Sequence, residues 1–175
     1  MKHRLVSALP LLLALACASQ EFRDVAEGPV DSRFTWFRDL PGTWIGTEDS
    51  SMPGMEVVYR LTAGGSVLEE TISPGTDHEM VTMIHPDGEG LLLTHYCVLG
   101  NQPCMRAEPA EEDEGQAIVD FRCTGGSNMD ESDMHMHRAV YTFLGKDHLQ
   151  AAWTMVDAGE LVETKRFDLV REQGR

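Results

Sequence analysis

After Pro41-Gly42 the chain carries no helical hydrophobic period. It carries a train of short β-rich runs separated by turn signals. The expected strands are Thr43–Thr47, Met55–Leu61, Ser66–Ser73, Glu79–His85, Gly90–Val98, Cys104–Ala107, Ala117–Cys123, His135–Leu144, Leu149–Val156 and Leu161–Val170. Between them stand Ala63-Gly64-Gly65, Pro74-Gly75, Asp87-Gly88, Gly145-Lys146-Asp147 and Asp157-Ala158-Gly159. Most links are about two to six residues, the length of hairpins and too short for parallel crossovers. Such a chain is confined to an antiparallel meander.

The alternation within the runs says how the meander is buried. Leu149, Ala151, Trp153 and Met155 share one face, opposite Gln150 and Thr154. Val119, Phe121 and Cys123 likewise oppose Asp120 and Arg122. A long sheet with one dry face closes most readily into a barrel, because closure removes both exposed edges. The expected fold is therefore all-β: a single antiparallel up-and-down β-barrel of about ten strands spanning residues 31–175. Ahead of the first strand, Asp31 or Ser32 is placed to cap a short helix. Phe34, Phe37 and Leu40 recur there at spacing three, and Pro41-Gly42 ends it.

Residues 1–16 read as a signal peptide. Met1-Lys2-His3-Arg4 is basic, and Leu5 to Ala16 is apolar but too short to span a bilayer. The junction Leu13-Ala14-Leu15-Ala16-Cys17 resembles a bacterial lipobox, which implies a diacylated Cys17 as the new N-terminus. Cleavage after Ala16 or Ala18 without lipidation is the alternative. Residues 17–30 show no apolar period and read as a tether. The expected location is the cell envelope, lipid-anchored and facing the periplasm.

The chain holds 29 acidic and 14 basic residues, a formal charge of −15. Losing Lys2 and Arg4 with the leader makes the mature chain more negative still, about −17. No basic footprint for nucleic acid exists, and anionic headgroups would repel this surface. Membrane contact is thus expected through the lipid anchor, and the domain is expected to be a monomer.

Phe37-Arg38-Asp39-Leu40-Pro41-Gly42-Thr43-Trp44-Ile45-Gly46 resembles the opening of the lipocalin-like (calycin-type) barrels, in which a short helix leads into a G-x-W strand. The resemblance implies that Trp44 plugs one barrel end. The stretch Leu93-Thr94-His95-Tyr96-Cys97 through Gly100-Asn101-Gln102-Pro103 is similar to a group of bacterial exported lipocalin-like proteins. The related ten-stranded fatty-acid-binding and haem-binding barrels would also suit this strand count.

Three cysteines remain after Cys17. Cys97 ends one expected strand and Cys104 begins the next, so they are the expected disulfide; Cys97–Cys123 is the alternative pairing. Cys123 otherwise reads as a buried thiol.

Polar residues in phase with apolar ones are the candidates for ligand contact. His95 shares its face with Leu91, Leu93 and Cys97, while Tyr96, Gln102 and Arg106 gather around the same hairpin. His135 and His137 lie two apart, in phase with Tyr141 and Phe143. Glu69 and Glu70 must face opposite ways. Glu70 is taken as the inward carboxylate, which needs a partner such as Arg106, His95 or one of the His135/His137 pair. The expected ligand-contacting set is Glu70, His95, Tyr96, Gln102, Arg106, His135 and His137, for one small apolar or amphipathic molecule. No catalytic residue, metal ligand or cofactor is assigned. Three other functions fit the same residues: a packed structural or interaction lipoprotein, a metal or haem carrier, and a small-molecule enzyme.

Overall fold

The computed structural model describes residues 31–107 and 117–173. The expected signal peptide, Cys17, the expected tether and residues 108–116 lie outside the described residues. Helix α1 (Phe34–Arg38) precedes ten strands: β1 (Gly42–Gly46), β2 (Glu56–Thr62), β3 (Val67–Ile72), β4 (Met80–Asp87), β5 (Gly90–Tyr96), β6 (Gln102–Ala107), β7 (Ile118–Ser127), β8 (His135–Gly145), β9 (His148–Asp157) and β10 (Glu160–Arg171). Strand makes up 61% of the described residues, and each expected run is a strand whose ends shift by a few positions. Every strand pairs antiparallel with its neighbours in the chain, and β1 closes on β10. The fold is the ten-stranded up-and-down barrel that the alternation and hairpin-length links imply.

The differences have local causes. β6 begins at Gln102 and β7 runs on to Ser127 because Gln102 pairs with Ser127 and Pro103 with Gly126. The helix is capped by Arg33 rather than by Asp31 or Ser32, with no side-chain cap. Asp31 instead accepts the Arg33 backbone N–H at 2.9 Å and its guanidinium at 2.5–3.0 Å, and both residues are buried.

The disulfide expectation is corrected: Cys97, Cys104 and Cys123 are all free thiols. Register explains this. The Cys97 N–H donates to Asn101 O at 3.1 Å, so the hairpin turns over Val98–Gly100, where Gly100 takes the positive φ of 83°. Cys97 therefore faces Asn101, while Cys104 faces Thr94.

One barrel end is closed by aromatics. Helix α1 sets Phe37, fully buried, edge-on to Tyr141, Phe143 and Phe121. Trp44 is fully buried, donates its indole N–H to Leu40 O at 2.8 Å, and lies edge-on to Tyr59. The Arg171 guanidinium caps the Trp44 ring at 4.5 Å. The opposite end, here the rim, carries the turns β5–β6, β7–β8 and β9–β10. Truncating Trp44 to alanine removes a ring with no room to be replaced. Trp44→Ala should cost about 3–5 kcal/mol in urea unfolding; a loss below about 1 kcal/mol would contradict this packing.

Candidate functional site

Alternation along β3 turns Leu68, Glu70 and Ile72 inward and Glu69 outward. Glu69 meets Arg60 on the outer wall, its Oε2 accepting from Nη2 at 2.7 Å. Glu70 is 2% exposed inside the barrel. Register then supplies its neighbours: Tyr59 of β2 pairs with Glu70, Glu70 with Thr82 of β4, and Thr82 with His95 of β5. Four polar side chains thus stand in one inward row across four adjacent strands. Tyr141 and Trp153 reach this row from β8 and β9.

Hydrogen bonds join the row into a belt. Tyr59 donates its hydroxyl to Glu70 Oε1 at 2.7 Å, and Tyr141 donates to Oε2 at 3.1 Å. The Thr82 hydroxyl lies 3.0 Å from His95 Nδ1 and, beside Glu70 in the register, helps hold its carboxylate. The His95 ring sits 4.8 Å from Trp153. His95 Nε2 is buried with no hydrogen-bond partner.

The electrostatics follow from burial. Burial raises the Glu70 carboxyl above its usual range, and the bonds from Tyr59, Thr82 and Tyr141 pull back against it. Burial, then the Glu70 charge, raises both phenols, so they stay protonated donors. Burial lowers His95 to about 4, which keeps it neutral at physiological pH.

The other expected ligand contacts lie elsewhere. Arg106 is on the outer wall, ion-paired with Asp87, so it is not the partner of Glu70. Tyr96 is exposed on the outer face. Gln102 sits at the rim, its Oε1 accepting from Ser127 and Asn128. His135 and His137 are not partners of Glu70 either; they meet each other and Cys123 at the rim. Cys123 had read as a plain buried thiol, yet it is only partly buried.

Sequence reasoning missed Tyr59 and Thr82. Both lie in phase with inward apolar residues, Tyr59 with Val57 and Thr82 with Ile84. The phase was readable; that they stand beside Glu70 depends on register. A groove of about 670 Å³ lies outside the barrel, over β8–β10, with Val140, Thr154, Val156, Leu161, Arg138 and His137 on its walls. No protein-family model matches the chain, and no curated protein matches it.

The two buried groups give opposite pH dependences. His95 favours its neutral form when folded, so its contribution is complete above pH 6.5 and is lost as pH falls towards 4; the full loss is about 3 kcal/mol. Glu70 favours its protonated form when folded, so acidification through its raised value adds stability. Asp120 and Asp168, held low, lose theirs only below their ordinary value of 3.8. Urea midpoints between pH 6.5 and 4 should therefore fall more steeply in Glu70→Gln than in the unmutated protein, and less steeply in His95→Gln. Equal slopes in all three would contradict the belt.

Proposed function

We propose that this is an exported lipocalin-like barrel that holds one small apolar or amphipathic molecule inside, hydrogen-bonded to His95. The observation that carries this reading is the orphaned His95 Nε2. Every neighbouring polar group in the belt is engaged, and this atom alone is not. Leaving a buried polar atom unpaired costs about 1–3 kcal/mol. A bound molecule that supplies the missing bond recovers that cost.

The belt also sets the polarity of the ligand. With Glu70 ionised, Thr82 gives its only proton to the carboxylate. It must then accept from His95 Nδ1–H, which leaves Nε2 as a lone pair. The matching ligand group is a donor, a hydroxyl or an N–H. Trp153, beside the imidazole, suits an apolar body attached to it.

The leader supports an envelope location, with Cys17 as the lipid anchor. Cys17→Ser should move the chain from the membrane fraction to the soluble fraction; an unmutated chain that is already fully soluble would overturn the anchor. Native mass spectrometry of the full chain, extracted in mild detergent, tests the ligand. One small molecule per chain is expected, and His95→Phe should lose it. An unmutated chain that carries nothing, together with a His95→Phe variant more stable than it, would favour a packed structural lipoprotein instead.

A further inference from the structure

A second cluster shares no residue with the belt. β6 and β7 lose register between Cys104 and Met105, where Met105 pairs with Cys123 and Cys104 with Gly125, leaving Thr124 as an extra residue. β8 and β9 lose register between Met136 and Arg138, leaving His137 extra. Two bulges therefore flank the same stretch of rim. A bulge bends its strand and re-aims the side chains beside it, and bulges concentrate at barrel rims and next to functional sites. Here they turn Cys123, His135 and His137 towards one point: one ligand atom from each lies within 4.8 Å of the other two.

The hydrogen bonds prepare the donor atoms. His135 Nδ1 is 2.6 Å from Asp133 O. A carbonyl only accepts, so Nδ1 carries the proton and Nε2 presents its lone pair. That Nε2 lies 3.1 Å from His137 Nδ1. Metal-bound histidines are oriented in this way, with the second nitrogen donating to a backbone carbonyl. Donor atoms on a tetrahedral ion, with bonds of about 2.0–2.3 Å, sit about 3.3–3.7 Å apart. The two nitrogens already have nearly that spacing; as the ion enters, the proton that His137 Nδ1 donates to His135 Nε2 moves to His137 Nε2, and the Cys123 thiol releases its proton to solvent.

We propose that Cys123, His135 and His137 bind a late first-row transition ion such as zinc(II), with one coordination position left to solvent. Imidazole and thiolate together select borderline and soft ions over magnesium or calcium. His135 is 2% exposed and closes the site from below, whereas His137 is exposed and also lines the outer groove. The open position thus lies where the groove begins.

Cobalt(II) is the probe, added to the full chain in detergent under a non-thiol reductant. One equivalent should bring up an intense near-ultraviolet thiolate-to-cobalt charge-transfer band, and one equivalent of zinc(II) should abolish it. Cys123→Ser should remove the band. His137→Gln, at an exposed position where folding is not at stake, should weaken cobalt binding by at least about tenfold, the loss that even an outer-shell partner brings. Cys97→Ser should change neither. No band in the unmutated chain, a band that survives Cys123→Ser, or one that Cys104→Ser removes instead would each overturn the site.

Discussion

Strands β1 and β10 meet over only three register pairs, from Trp44 with Arg171 to Gly46 with Leu169, and on that seam the closed barrel depends. Arg171 reinforces it. Its guanidinium donates to Leu40, Pro41, Asp39 and Lys146 carbonyls at 2.7–3.2 Å and to Asp147 at 2.9 Å. The same group lies over the Trp44 ring. One side chain thus ties the helix exit, the β8–β9 turn and the final strand together. Opening the seam would expose two sheet edges and flood the interior.

What the closed wall protects is unusual for a core. A carboxylate in an apolar interior costs several kcal/mol unless hydrogen-bonded. Glu70 meets this with three hydroxyls around it and, among the described residues, no basic partner. Two of those hydroxyls come from its own strand neighbours and one from across the barrel, so the network spans the interior from β2 to β8. The far end of the chain of bonds is His95, neutral and half-satisfied. A core that only needed filling would be served at least as well by apolar residues at these positions.

The architecture was legible because it rests on period and link length. Leu149, Ala151 and Trp153 are inward as their alternation says, and His95 and Glu70 are buried as their phase requires. Partners were not legible, because they depend on register. Glu70 was matched in sequence with Arg106 or a histidine, since those were the obvious charges. The pleat puts Arg106 on the outer wall, and register puts Tyr59 and Thr82 beside the carboxylate. The rim cluster was hidden for a related reason. A strict period of two carries His135 and His137 onto the face of Tyr141, but the bulge at His137 breaks that phase.

The state of His95 carries the functional account. Long-range proton–nitrogen NMR of the imidazole near neutral pH reads it directly. The account predicts a neutral ring, with its proton on Nδ1 and Nε2 unprotonated at any pH where Glu70 is ionised. An imidazolium, or a protonated Nε2 with Glu70 ionised, would contradict it.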